Sequence, residues 1–375
     1  MKITLKRTPE QVELIKAMAS KNRAVAYEAQ VALAEFIGPV LAEVINNAPT
    51  LSNLFTTLQF NAEDNPSIPL DLYYDITDED YIQVYSQSVA GGLPQNQVLP
   101  TASEMKIATY TLDSALSFDR RYAAKSRMDV VSKTFTRMAQ EILAKQEKTS
   151  ANLILSALAG ATTNGKNHVI SAGTNGRFLL DDLNRLFTLA KRINTSFAGG
   201  TPVSRSSRGI TDLIVSPEVV QELRAMAYNP INTKGSPIGG TAAGNNNGIA
   251  APESMRTDIY NSAGIPEFYG VSIMEINELG AGQKFNTIFD SVSDAKYSSF
   301  AGASQEIIIG LDRSRESLVR AVATDSENGS EFNLTADDQY SIRQNKIGYF
   351  GSLEEGRMVL DNRALVGVIA SGISA

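Results

Sequence analysis

Met128-Asp129-Val130-Val131-Ser132-Lys133-Thr134-Phe135-Thr136-Arg137-Met138-Ala139-Gln140-Glu141-Ile142 opens the longest periodic segment of the chain. Met128, Val131, Phe135, Met138 and Ile142 recur at intervals of 3, 4, 3 and 4 residues, which places them on one face of an α-helix. After a polar turn of the helix, Leu153, Ile154 and Leu158 resume the stripe, and Gly160 supplies a terminator. The spacing predicts a helix over 128–158, a rod of roughly 46 Å at ~1.5 Å per residue. A helix of this length serves as a backbone, so the elements on either side of it are expected to pack along it.

Upstream, Pro9 to Ile37 reads as an amphipathic helix with Thr8 as its cap, Pro9 at the first helical position and Glu10 and Glu13 near the positive end of the dipole. Gly38-Pro39 is expected to interrupt it, with a short second helix to Ile45. Between Leu51 and Met105, strand-sized apolar spacing is broken by Asn65-Pro66, Pro69, Gly91-Gly92, Pro94 and Pro100, which suits an extended hairpin with too little apolar bulk for its own core. Met105 to Phe118 then alternates as a strand should.

Downstream the pattern mixes helix and strand. Leu179 to Ile193 reads as a helix and Ile210 to Val215 as a buried strand, and Ser216-Pro217-Glu218 caps a helix running to Tyr228. Asn229 to Pro252 is rich in Gly, Asn and Ala and reads as a long loop. Strand-like runs follow at Phe268 to Ile276, Phe285 to Phe289, Glu306 to Ile309 and Leu318 to Ala323, and the end is built from Asp338 to Lys346 and Met358 to Ala370.

The 375 residues carry a net charge of −7, no cysteine, no tryptophan and a single histidine. The length allows two domains, or one with large excursions. The acidic balance argues against a dedicated nucleic-acid reader, which needs concentrated basic surface. No run approaches the eighteen or so apolar residues of a membrane span. The start, Met1 to Pro9, is charged and lacks the apolar core of a secretion signal, and loss of a long propeptide is not expected.

No catalytic constellation emerges. A Ser-His-Asp relay would have to use His168, which sits in the turn-like Asn164-Gly165-Lys166-Asn167 context and reads as a surface histidine; no Gly-x-Ser-x-Gly elbow occurs. Zinc sites draw on several His or Cys ligands, which this chain cannot supply. Asp75, Asp78, Glu79 and Asp80 lack the spacing and the turn glycine of a calcium loop. The glycines between Gly235 and Gly248 lack the Gly-Lys-Ser/Thr end of a phosphate cradle. The carboxylates of Asp181-Asp182 and Glu354-Glu355 are adjacent and point in different directions, so they make poor acid/base partners. The reading is of a non-enzymatic chain with no cofactor and no metal.

The charge is sorted along the chain. From Ala24 to Met105 there is no Lys or Arg against eleven acidic residues, whereas Asp119 to Lys148 holds eight basic residues against four acidic. Complementary patches of this kind give register and partner choice to a subunit that lies on a copy of itself. Candidate contact residues between subunits are Asp75, Asp78, Glu79 and Asp80 on the acidic side and Arg120, Arg121, Lys125 and Arg127 on the basic side.

Taken in order, the segments resemble the major capsid protein family of tailed bacteriophages, an α+β architecture of the Hong Kong 97 type. Ile210-Thr211-Asp212-Leu213-Ile214-Val215-Ser216-Pro217-Glu218-Val219-Val220-Gln221-Glu222-Leu223 is similar to the strand and Pro-initiated helix of that family's axial domain. Phe268-Tyr269-Gly270-Val271-Ser272-Ile273 is similar to a family strand in which a proline usually stands where Ser272 is. Asp361-Asn362-Arg363-Ala364-Leu365-Val366-Gly367-Val368 is similar to the closing strand.

The resemblance implies an N-terminal arm at 1–55, an extended E-loop at 56–105, a peripheral domain at 106–161 and 332–375 with the long helix as its spine, and an axial domain at 162–331. It implies a subunit that assembles with itself into hexamers and pentamers of an icosahedral head around double-stranded DNA, which it contacts without sequence preference. Portal, scaffold and decoration proteins are the further partners implied, with assembly in the host cytoplasm and no membrane. An encapsulin-like compartment shell shares the fold and is the alternative, and a cytoplasmic α/β enzyme is a third reading.

Some family members weld subunits through an isopeptide bond between an E-loop lysine and a neighbour's asparagine. Here the loop holds no lysine, and Lys106 stands only at its foot. The shell is therefore expected to hold by burial and charge alone. Purified particles boiled in detergent should run as a single chain on a denaturing gel, and a ladder of covalent multimers would contradict this.

Overall fold

The computed structural model describes residues 8–48, 50–61, 64–69, 104–163, 165–193, 209–228, 267–268, 270–293, 300–324, 331–337 and 344–373. The predicted hairpin strands from Leu72 to Val89, the carboxylates Asp75, Asp78, Glu79 and Asp80, and the loop Asn229 to Pro252 lie outside them. In chain order the first elements are α1 (Pro9–Met18), α2 (Arg23–Asn46), β1 (Thr56–Asn61), β2 (Ser67–Pro69), β3 (Glu104–Lys106), β4 (Thr109–Asp119), α3 (Arg120–Ala124) and α4 (Met128–Ala159). There follow β5 (Thr162–Thr163), β6 (Lys166–Asn167), β7 (Val169–Ser171), α5 (Leu180–Ile193), β8 (Asp212–Val215), α6 (Pro217–Tyr228), β9 (Glu267–Phe268) and β10 (Val271–Glu275). The series closes with α7 (Lys284–Ser293), β11 (Gln305–Leu311), β12 (Leu318–Thr324), β13 (Asn333–Asp337), β14 (Lys346–Val359) and β15 (Leu365–Ser371).

The chain divides into two compact units, one of Met1–Leu70, Ala102–Ser150 and Leu318–Met358, the other of Asp71–Thr101, Ala151–Ser317 and Val359–Ala375. In the first, β14 is the central strand. It pairs antiparallel with β4 over eleven residues, from Lys346 opposite Asp119 to Gly356 opposite Thr109. Antiparallel β13 lies beside it, and β12 pairs in parallel with β1, Thr56 standing opposite Val319. The expected face of α4 is the buried one: Val131, Phe135, Met138 and Ile142 join Leu112, Phe118, Tyr349 and Leu353 of the sheet in one core. Tyr349 anchors this layer, with the Phe135 ring edge-on at 5.2 Å and the Phe118 ring stacked at 6.4 Å. Gly351 of β14 has no room for a side chain, because a Cβ there would overlap the Phe332 ring and stand 3.1 Å from the Met138 sulfur.

The N-terminal helices depart from the sequence reading. Thr8 does cap α1, accepting from the Gln11 amide at 3.4 Å, with Pro9 at the first turn. The helix ends at Met18, however, where Ala19 and Ser20 make tight bonds back to Lys16 and Ala17. Asn22 then caps a new helix by accepting from the Ala24 amide at 3.2 Å. That second helix runs through Gly38-Pro39, where a break was expected. Pro39 removes one backbone donor, but Leu33, Ile37, Leu41 and Ile45 bury one continuous face in the core, which outweighs the loss. Gly38 lets the helix approach β13, its Cβ position only 3.8 Å from that of Leu334.

The second unit is built on a six-stranded sheet in the order β7-β15-β11-β8-β10-β9. Every residue of β8 is buried, its apolar Leu213-Ile214-Val215 as expected of an interior strand and Asp212 with them. Leu183, Leu186, Phe187 and Ala190 of α5 and Val219, Val220 and Leu223 of α6 share one core with Ile308, Val366 and Val368 of the sheet. Ser216 caps α6 as read, accepting from the Val219 amide at 3.3 Å.

Two further expectations change. Phe285 to Phe289 is helical, within α7; the four-residue spacing that reads as a strand end puts both rings on one buried helix face. The closing strand β15, expected with the peripheral domain, pairs with β11 and β7 of the six-stranded sheet, and β12, expected with the axial domain, belongs to the sheet of β14. The chain exchanges units at Ser317-Leu318 and Met358-Val359, where strands of similar apolar content follow one another. Composition cannot distinguish them.

Gly351→Val should overpack the first core and cost about 1–3 kcal/mol, read as a lower denaturant midpoint at unchanged slope. Gly38→Ala, which meets only ordinary contacts, should cost far less.

Candidate functional site

The basic segment stands at the corner of the first unit where β4 passes into α3 and α4. Its four candidate residues are used differently. Arg120 turns inward, and its Nη2 donates to the Ser20 carbonyl in the turn between α1 and α2. Arg121 is exposed and pairs with Asp119 at 2.8 Å, which in turn caps α3 by accepting from the Arg121 amide. That arginine holds the Asp119 carboxyl below its ordinary range. Lys125 and Arg127 are exposed, the latter 3.7 Å from Asp129. Tyr122, next to Arg121 and three residues before Lys125, has 44% of its surface exposed. The structure therefore brings three of the predicted cations and an aromatic ring to one exposed corner and assigns the fourth to holding the N-terminal turn.

An ionic cluster that sequence reasoning missed lies deeper in the same unit. Glu355 of β14 is fully buried and meets Arg320 Nε at 2.9 Å and Arg357 Nη2 at 3.1 Å. The Tyr110 hydroxyl donates to it at 2.8 Å and Gln146 Nε2 at 3.0 Å. Arg357 also donates to the hydroxyls of Ser52 and Ser150 and lies over the Phe55 ring at 5.4 Å. Burial opposes ionisation of Glu355, yet the two guanidinium groups overcome it and hold its carboxyl below the usual range. Burial, and then the Glu355 charge, push the Tyr110 hydroxyl up to about 12. The signal was available: Arg320 interrupts Leu318-Val319-Arg320-Ala321-Val322 at a strand position where an apolar residue is expected. Glu355 and Glu354 occupy alternate faces of β14, so their carboxylates do not converge.

Beside this cluster opens a cavity of about 630 Å³ lined by Asn46, Asn53, Phe55, Gln59, Arg320 and Glu331 among others. Glu331 accepts from Asn46 at 2.7 Å and from Gln59 at 3.2 Å. The lining is amide-rich, with the hydroxyls of Ser52 and Thr57 and the Glu331 carboxylate among its polar groups.

In the second unit His168 corrects the surface reading. It is completely buried. Its Nδ1 lies 2.9 Å from the Leu365 carbonyl and 3.1 Å from that of Asn362, and its Nε2 lies 2.9 Å from the Thr163 hydroxyl. Carbonyls only accept, so Nδ1 carries the proton and Thr163 donates to Nε2. Both nitrogens are thus committed to tying the β5–β6 hairpin to the start of β15, and neither is free to serve as a base. Ser216 is similarly engaged: its hydroxyl caps α6 and donates to the buried Glu306, whose carboxyl burial pushes up. Asp182 accepts from the Gly173 and Leu179 amides at 2.8 and 3.2 Å, a cap for α5. Among the described residues, no group of three or more His, Cys, Asp or Glu could hold a metal ion, and no helix is long and apolar enough to cross a membrane.

Neither a family model nor a curated relative matches the sequence. Solved structures do. The capsid protein of the empty GTA particle matches with a TM-score of 0.50 at 13% identity, over 86% of this chain and 90% of that one. The capsid of cyanophage P-SCSP1u matches at 0.44 and 14% identity over 85% and 86%, and the SrpI encapsulin of Synechococcus elongatus PCC 7942 at 0.46 and 13% over 88% and 90%. The chain has the Hong Kong 97-type capsid fold.

Glu355→Gln should strand two buried guanidinium groups and cost about 3–5 kcal/mol at neutral pH, measured by denaturant titration. Because the folded-state pKa is lowered, the wild-type advantage is complete above the unfolded pKa and is lost as pH falls through the folded one. The gap between the two proteins should therefore narrow in acid.

Proposed function

We propose that this chain is the major capsid protein of a tailed phage, a non-enzymatic subunit that builds hexamers and pentamers of an icosahedral head around double-stranded DNA. The observation that carries the reading is the fold, shared over nearly nine-tenths of both chains with the capsid protein of an empty particle. The side chains support it. His168, Ser216 and Asp182, the groups best suited to chemistry, are buried and occupied as structural ties. The groups left at the surface of the first unit are charged and aromatic side chains suited to contact with a neighbour.

On this reading the N-terminal segment to residue 55 is the arm and 56–105 the E-loop, with Asp75, Asp78, Glu79 and Asp80 offered to neighbouring subunits. The remainder of the first unit is the peripheral domain and the remainder of the second the axial domain. The particle forms in the host cytoplasm, and portal, scaffold and decoration proteins complete it. The packaged DNA is met through non-specific contacts, in keeping with the negative net charge.

Expression of the chain alone, or with its neighbouring genes, followed by negative-stain microscopy should show closed shells. A stable monomer on size exclusion would overturn the proposal, and helical tubes would reassign the chain to a tail. Shells that carry a protein cargo in place of nucleic acid would point to a compartment of the encapsulin kind.

A further inference from the structure

Of the eight large apolar side chains exposed among the described residues, four lie on α2: Val25, Tyr27, Phe36 and Val40. Three of them share a face. Phe36 follows Val25 by eleven residues, close to three helical turns, and Val40 follows Phe36 by four. They are 41, 55 and 38% exposed. The adjoining face of the same helix fills the core through Leu33, Ile37, Leu41 and Ile45. The apolar arc of α2 is therefore wider than the core that packs on it, and among the described residues its outer edge stays exposed.

The border of the exposed face identifies the second layer. Glu28 and Glu35 run along one side of the stripe, and α2 has no basic residue after Arg23. Phosphate and anionic lipid are repelled by such a border. A complementary surface needs an apolar projection accompanied by cations, and the first unit carries one in α3: the exposed Tyr122, next to Arg121 and three residues before the exposed Lys125. Both surfaces are exposed in the same chain, so neither covers the other there. Arg121 can re-pair at little cost, because its partnership with Asp119 is an exposed ion pair, 81% and 30% accessible on the two sides.

We propose that the outer face of α2 on one copy receives Tyr122 of a second copy, with Arg121 and Lys125 of that copy set against Glu28 and Glu35. This rests on the shell reading above and gives that reading a contact. Two different patches meet, so the contact is head-to-tail, and such contacts close into rings when the rotation permits. Burial of Phe36 and Tyr122 supplies the apolar core of the contact, and the charges fix which way round the copies dock.

The absence of cysteine from the chain makes the test direct. Phe36→Cys and Tyr122→Cys each introduce a lone thiol, and a disulfide forms only where Cβ atoms come within roughly 3.5–4.5 Å. When the two variants are mixed, assembled and oxidised, a dimer should appear on a non-reducing gel, and neither variant alone should give one. Cross-linking of Phe36→Cys with itself would show α2 packing against its own copy and overturn the assignment of Tyr122.

If the thiol variants fail to assemble, a charge exchange decides. Glu35→Lys should lower shell yield about tenfold, and Lys125→Glu added to the same chain should restore it; failure to restore overturns the pairing. Wild-type chain that never forms shells would remove the shell reading and this contact together, whereas wild-type shells without the mixed cross-link would remove this contact alone.

Discussion

The first unit is organised by the burial of one face of α4 against the sheet of β4 and β14. Tyr349 takes Phe135 on its edge and Phe118 on its face, and Gly351 withdraws its side chain so that Phe332 and Met138 can close over the strand. Each buried ring removes enough apolar surface to contribute roughly 1.5–3 kcal/mol. That layer fixes the register of β14, since a slip of one residue would carry Tyr349 and Leu353 to the opposite face. With β14 in register, Glu355 points inward and must be neutralised, and the positions of Arg320, Arg357 and Tyr110 follow from that need.

The buried polar groups described in both units act as structural ties. Glu355 links β14, β12, β4 and α4 through charge and hydrogen bonds that distant stretches of the chain supply. His168, Asp182 and Ser216 do the same in the second unit for a hairpin, a loop and a helix start. A buried polar group left unpaired is costly and one that is fully paired is specific, so these ties restrict the fold to one arrangement of strands whose apolar content is otherwise interchangeable.

Much of the fold was legible locally. The helix over 128–158, the capped helix after Ser216 and the buried run of β8 each carry a periodicity or a cap whose meaning does not depend on distant residues. The misreadings have a common origin. Pro39 looked like a break because its local cost is known, whereas the core on the other face of α2 that offsets it is assembled from residues up to Leu353. His168 looked exposed because its neighbours form a turn, and the carbonyls that enclose it come from residues 362 and 365. Phe285 and Phe289 carry the same spacing in the linear pattern whichever element they join.

The amino-acid sequence by itself determined the long helix, the capped helix after Ser216, the absence of thiols, and the sorting of charge between the acidic and basic stretches. Those are properties of local spacing and composition. Only the tertiary structure decided which sheet each strand joins, that Glu355 lies between two arginines, and that α2 shows an apolar face to its surroundings while Tyr122 stands among exposed cations. Each of these depends on which side of an element is buried by residues hundreds of positions away, and burial is set by the whole packed core.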